Sequence, residues 1–336
     1  MKFQTRLVLF TLVLAACAPS SASHAVVTPG TYEYQDFAYE IAWSADDSMV
    51  ALTTLTGLYL YDTKTHEQLF AFEQGSGWGA TFSEKHLAVL GHDGLTVWDL
   101  NGFRQLFHVD PEQPIQFQSV AIDPQEKLLV TAELDQLRIW RLPDGKALAI
   151  IPQAGPQADM VLKDGSHLIL AEPQSGVIQE WDLQASKKTG QVDIGRPVVR
   201  FNLSADGEVV IVDYGNNGFE LWNLKTGRLE HAYTDIIGAP GWTNLSGDHR
   251  SVVAWGYPLN AGESGLSVWD LWSHTQLFEL ATPLVNGDGW RNAALNSDGS
   301  ILAAGNNEGY IYFYDMKTGK KTGEIFLPYK YIVEKG

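Results

Sequence analysis

Seven short segments, each alternating apolar and polar residues and ending on an aromatic followed by a polar residue, recur through the chain. They are Leu58-Tyr59-Leu60-Tyr61-Asp62, Leu95-Thr96-Val97-Trp98-Asp99, Leu137-Arg138-Ile139-Trp140-Arg141, Ile178-Gln179-Glu180-Trp181-Asp182, Phe219-Glu220-Leu221-Trp222-Asn223, Leu266-Ser267-Val268-Trp269-Asp270 and Ile311-Tyr312-Phe313-Tyr314-Asp315. The aromatic returns at intervals of 37, 42, 41, 41, 47 and 45 residues. A fixed period of that length marks a repeat architecture, in which each unit is one supersecondary element that cannot bury its apolar face alone.

The rest of each unit supports strands. About 15 residues before the aromatic comes a turn such as Ser204-Ala205-Asp206-Gly207 or Ser297-Asp298-Gly299. Gly reaches positive φ freely there, and Asp bonds its own backbone. An apolar strand follows each turn, for example Val209-Val210-Ile211-Val212. After the aromatic come a second polar turn, as in Asn223-Leu224-Lys225-Thr226-Gly227, and a more amphipathic strand, as in Gln276-Leu277-Phe278-Glu279-Leu280. Four antiparallel strands repeated seven times predict an all-β, seven-bladed β-propeller over residues 31–336. The chain resembles the WD40 repeat family across nearly all of residues 37–327. It departs from that family in lacking the Gly-His opening pair, since Gly91-His92 falls between second and third strands, and in holding Arg141 and Asn223 where the family has Asp. These departures resemble divergent bacterial propellers.

The N-terminus has a different character. Lys2 and Arg6 precede ten apolar residues, Leu7 to Ala16, and the run closes on Cys17, the single cysteine. Ten helical residues fall well short of a hydrocarbon layer roughly 30 Å thick, so the segment reads as a signal peptide over 1–16. Leu14-Ala15-Ala16-Cys17 is similar to the lipobox of bacterial lipoproteins, which implies lipidation of Cys17 and a cell-envelope location outside the cytoplasm. Residues 17–30, small, polar and bounded by Pro29 and Gly30, are expected to form a flexible linker.

Charge narrows the function. The net charge is −17, and removing residues 1–16 makes it −19. That excludes a nucleic-acid platform, whose affinity rests on Lys and Arg neutralising phosphates. It also leaves membrane affinity to the acyl chains. No cofactor, metal or catalytic residue is expected: Phe70 stands where a His66-Glu67 zinc motif would need its second His, and there is no G-x-S-x-G elbow. The expected function is therefore a monomeric, lipid-anchored, non-catalytic scaffold that binds a protein or peptide. The alternative is an enzyme of the lactonase-like or quinone-dependent kind, with residues from several blades meeting in the channel.

A candidate face follows from three Gly-Trp pairs. Gly77-Trp78, Gly241-Trp242 and Gly289-Trp290, the last followed by Arg291, each begin an innermost strand at the channel mouth. Loops between second and third strands place Asp93, Glu133, Asp135, Glu172, Asp213, Glu263 and Glu308 on the same face. Trp78, Trp242, Trp290 and Arg291 amid carboxylates suit a basic or amphipathic peptide; otherwise the tryptophans plug the channel. The longest insertion, Gly256 to Gly265, adds a possible specificity loop. The segment Thr31 to Gln35, left over from the repeats, is expected to lie beside the seventh blade and bring the termini together.

Overall fold

The computed structural model describes residues 31–73, 77–112, 117–152, 159–215, 218–234, 240–256, 263–283 and 289–334. Cys17 and the first 30 residues lie outside them, as do residues 257–262 of the sixth-blade insertion.

Seven four-stranded antiparallel sheets account for the repeats, each paired in simple sequence order. Blade 1 contains Glu40–Trp43, Met49–Thr53, Leu58–Asp62 and Gln68–Phe72; blade 2 contains Gly77–Phe82, His86–Gly91, Gly94–Asp99 and Arg104–Val109. The inner strands of the remaining blades are Phe117–Ile122, Asp159–Leu162, Arg200–Leu203, Pro240–Leu245 and Trp290–Leu295. Each inner strand touches its two neighbours, and the last touches Glu40–Trp43, so the ring closes on the first blade. The second strands are buried on both faces: Val50, Ala51 and Leu52, and likewise Val210, Ile211 and Val212, are fully covered. That is why they read as unbroken apolar runs rather than alternating ones.

Successive blades interlock by size. In the turn before each outer strand one residue adopts a left-handed conformation, among them His66, Phe103, Gly145, His274 and Gly319. It lies against the outer strand of the preceding blade. Gly145 faces Phe107, whose ring would sit 2.5 Å from an added Cβ; conversely the large His66 faces Gly323 of blade 7, where an added Cβ would meet its ring at 1.8 Å. His66 also stacks on Phe313, centroids 4.7 Å apart. One partner is small wherever the other is bulky, except where rings stack, as Phe103 does on Phe70 at 5.4 Å.

The joint between blades 7 and 1 carries further bonds. Asp47 accepts from the Ser297 backbone N–H (2.9 Å), the Ser297 hydroxyl (2.5 Å) and Asn296 Nδ2 (3.0 Å). Trp43 Nε1 donates to the Ala294 carbonyl at 3.1 Å. Thr31–Gln35 does bring the termini together, but not by joining the seventh blade. It pairs antiparallel with Lys330–Glu334 in a separate two-stranded ribbon. Gln35 Nε2 donates to the carbonyls of Leu327 (2.5 Å) and Tyr329 (2.9 Å), and Tyr329 stacks on Tyr59 at 4.0 Å, so the returning tail covers blade 1. The strand Lys330–Glu334 lies past the last repeat, where no periodicity announces it.

The repeat aromatics divide into two groups. Tyr61, Trp98 and Trp140 are buried, whereas Trp181, Trp222, Trp269 and Tyr314 are half-buried. Sequence position at the ends of the ring therefore does not decide how deeply each one packs.

Candidate functional site

Inner strands run away from the face shared by the loops that precede them and the turns between second and third strands. This is the mouth face. On it, the three Gly-Trp pairs prove not to be equivalent. A β-bulge interrupts the start of several inner strands, and the pairs fall across it in three registers. In blade 2, Gly77 pairs with Gly91 and Gly79 with Leu90, which leaves Trp78 as the bulged residue. In blade 6 the bulged residue is Gly241 and Trp242 pairs with Trp255; in blade 7 Trp290 pairs with Asn306 and Arg291 is bulged. A slip of one residue sends a side chain to the other face of a sheet.

The consequences differ accordingly. Trp290 is 4 % exposed and belongs to the core between blades 6 and 7, edge-on to Tyr312 at 6.2 Å. It is a packing residue, equivalent to the buried Phe117 of blade 3, and not part of an open face. Trp242 is half-buried, parallel to Trp255 at 6.5 Å, with the Arg200 guanidinium 5.2 Å over its ring. Trp78 is half-buried and meets His92 edge to face at 4.8 Å. Trp78 packs in a cluster apart from Trp242 and Trp290, so the structure does not gather the three tryptophans.

The bulge gathers a different set. Tyr39 in blade 1 and Val199 in blade 5 stand at the bulged place, each donating its backbone N–H to the residue facing its successor (Thr53 and Asp213), and they are 41 % and 52 % exposed. Arg291, Tyr39 and Trp78 therefore occupy one structural position on three consecutive blades, 7, 1 and 2. Phe37 joins them: it stacks on Tyr39 at 4.8 Å and lies 5.0 Å beneath the Arg291 guanidinium, which is also bonded to Asn307. Tyr39 carries no repeat signal in the sequence; only the pairing register exposes it.

Part of the expected carboxylate ring is committed internally. Glu133 is buried, paired with Arg138 Nε at 2.8 Å and accepting from Gln136 at 2.6 Å. Asp213 is fully buried, accepts from the Gly215 N–H at 2.7 Å, and burial pushes its carboxyl up to about 6. Glu172 bonds the Ser175 hydroxyl at 2.7 Å. Asp93, Asp135 and Glu308 are exposed, and the Glu263 side chain lies outside the described atoms. Even so, blades 2, 3, 4 and 7 each send an exposed or half-buried carboxylate to this face, Asp93, Asp135, Glu172 and Glu308. Every lysine from Lys64 to Lys321 lies on the opposite face, in a turn or within the first two residues of an outer strand. The mouth face holds arginines instead, Arg138, Arg196, Arg200 and Arg291, of which Arg138 and Arg196 are spent on Glu133 and Glu220. The repeat lysines are thus segregated to one face of the disc.

Inside the channel, inner strands are tied edge to edge by side chains. Glu40 Oε2 accepts from Ala80 N–H of blade 2 at 3.1 Å, and Asp159 Oδ2 from Leu203 N–H of blade 5 at 2.6 Å. Asn202 and Asn292 donate to the carbonyls of Thr243 (3.0 Å) and Tyr39 (2.7 Å) on the blades that follow them. Burial pushes Glu40 up to about 8, with Asp159 across the axis adding to the rise and Arg200 opposing it; burial also pushes Asp159 up to about 6. Perturbed carboxyls in a concavity invite a catalytic reading, but each of these is held by a backbone N–H of the next blade and serves the ring. Among the described residues no three His, Cys, Asp or Glu side chains are grouped to hold a metal.

No family model matches the chain. Two curated proteins do, over short stretches: NACHT domain- and WD repeat-containing protein 1 of Mus musculus, 25 % identical over 92 residues, and WD repeat-containing protein 97 of Homo sapiens, 28 % identical over 109. The matches take in 27 % and 32 % of this chain and 6 % of each relative, so the chain spans a small fraction of their length. Repeat, ring and matches agree: the chain is a WD40-like seven-bladed β-propeller.

Proposed function

We propose that this propeller is a docking platform, tethered through Cys17 on the extracytoplasmic side of a membrane, whose mouth face captures a cationic segment of another protein. The propeller fold and the WD-repeat relatives support an interaction scaffold in general. The charge of the mouth face supports the sign of the partner: the repeat lysines, Lys64 to Lys321, lie on the far face, and exposed carboxylates such as Asp93, Asp135 and Glu308 stand on the mouth face. Complementary fields of that kind speed encounter and select partners. The Phe37, Tyr39, Trp78 and Arg291 sector supplies the aromatic and guanidinium groups that usually anchor an interface, and three consecutive blades hold it rigidly.

The test is binding of a lysine-rich peptide of about 20 residues to the purified domain, followed by calorimetry at increasing salt. Phe37→Ala combined with Tyr39→Ala, which removes the stacked aromatic pair, should weaken capture by at least tenfold while leaving the melting temperature within a few degrees. Equal binding of a glutamate-rich peptide, or no loss in the double variant, would refute the proposal.

A further inference from the structure

Between blades 1 and 2 lies a cavity of about 240 Å³, walled by Leu58, Phe72, Val89 and Trp98, with Thr96 and His108 in its polar lining and the exposed Asp93 at its rim. Phe72 meets the Trp98 indole edge to face at 4.9 Å. Apolar and aromatic walls with a few fixed polar groups are the usual character of a small-molecule site.

What sets this wedge apart is the indole N–H of its repeat tryptophan. Trp181, Trp222 and Trp269 each donate theirs to the side chain two residues earlier, Gln179, Glu220 and Ser267. Trp140 donates to Thr131 at 2.9 Å, and Thr131 pairs across the sheet with Arg138, the residue two before that tryptophan. In all four blades the N–H edge is thus aimed at one cross-strand pair. The matching pair in blade 2 is Val89 and Thr96, and both line the cavity. Neither serves Trp98. Val89 is apolar, and the Thr96 hydroxyl is turned to His108 Nδ1 (2.8 Å), whose other ring nitrogen faces Asp110 at 3.3 Å. Trp98 is 6 % exposed, and its N–H meets no acceptor among the described residues. A buried indole N–H ordinarily finds a partner, and one left without costs stability. Here the donor faces a space large enough to admit one.

We infer that this cavity binds a compact neutral molecule whose carbonyl oxygen accepts the Trp98 indole N–H. That oxygen would take the place that the Glu220 carboxylate holds against Trp222 and the Gln179 amide against Trp181. The apolar body of the ligand would lie along Leu58, Phe72 and Val89. Charge decides against the other classes: a cation brings a donor to a donor, and an anion must pass Asp93 on a chain of net charge −17. Size sets the limit. An engineered cavity of about 150 Å³ in another protein takes benzene, so about 240 Å³ leaves room for one ring with a carbonyl substituent. This site lies beyond the docking reading and does not depend on it.

The experiment titrates acetophenone against the full chain, reading the Trp98 indole N–H resonance. A ligand of this size should bind with Kd on the order of 1 mM and move that resonance. Toluene has the ring and no acceptor, and benzylammonium has the ring and only donors; each should bind about fivefold or more weakly than acetophenone. Thr96→Gln supplies from within the acceptor that Gln179 supplies in blade 4. It should leave the domain folded and weaken acetophenone by about tenfold or more. Equal binding of toluene or benzylammonium, an unchanged Kd in a folded Thr96→Gln variant, or no movement of Trp98 up to about tenfold above the expected Kd would overturn the pocket. The comparison of the three probes on the wild-type chain tests it even where the variant does not fold. The lysine-rich peptide takes no part in these measurements, so the pocket and the docking reading stand or fall separately.

Discussion

Replacing Glu40 by Gln isolates the cost of holding a carboxyl inside the ring. Gln keeps the acceptor oxygen for the Ala80 N–H and removes the titration. Glu40 has its folded value raised from 4.5 to about 8, so the folded protein holds the proton more tightly than the unfolded chain. Its contribution is fully present below about pH 4.5 and is lost as pH rises through about 8; above that, folding must ionise a buried acid. At 1.36 kcal/mol per unit of difference, the whole interval is worth at most about 5 kcal/mol, of which about 3 kcal/mol is already lost at pH 7. Glu40→Gln should therefore be more stable than wild type at pH 7, more so at pH 9, and equal to it near pH 4. Urea unfolding at these three pH values, followed by tryptophan fluorescence, measures the difference directly. A variant less stable than wild type at pH 9, or a difference independent of pH, would show that Glu40 is ionised in the ring and paired rather than protonated.

Trp98→Ala should cost about 3–5 kcal/mol, as expected when a buried aromatic leaves a cavity, whereas Trp269→Ala, at a half-buried position, should cost less than half as much; equal losses in thermal unfolding would contradict the burial difference. Cys17→Ser should release the protein to the soluble fraction or leave its precursor uncleaved, since an acidic protein offers anionic lipid no second attraction; a processed Ser variant that stays with the membrane would refute the tether.

How much of this could be read without coordinates depends on whether the signal was local. The aromatic period and the Asp/Gly turns are local, and they gave seven blades with the strands in the right places. The mouth was harder. Gly77-Trp78, Gly241-Trp242 and Gly289-Trp290 look alike as dipeptides, yet the bulge that separates them is a property of pairing with Gly91, Trp255 and Asn306, and no residue type marks it. Tyr39 was invisible for the same reason. Carboxylates posed another problem: Glu133 and Asp213 share a composition with Asp93, and only their partners, Arg138 and the Gly215 N–H, remove them from the exposed set. The Lys330–Glu334 strand has no repeat to belong to, and its partner lies some 300 residues earlier.

The joint between the first and seventh blades has a consequence for synthesis. The bonds that seal it join residues separated by about 250 positions: Asp47 waits for Asn296 and Ser297, and Trp43 for Ala294. Until those late residues leave the ribosome, the flank of blade 1 that will meet blade 7 has no cover. Contacts so distant along the chain are slow to form and leave strand surfaces open meanwhile. A chain cut short before Ala294 would carry most of the blades yet remain an open arc, with the apolar flank of blade 1 ready to meet the free end of another arc. For this protein, premature termination near the C-terminus is a route to head-to-tail association rather than to a slightly smaller monomer.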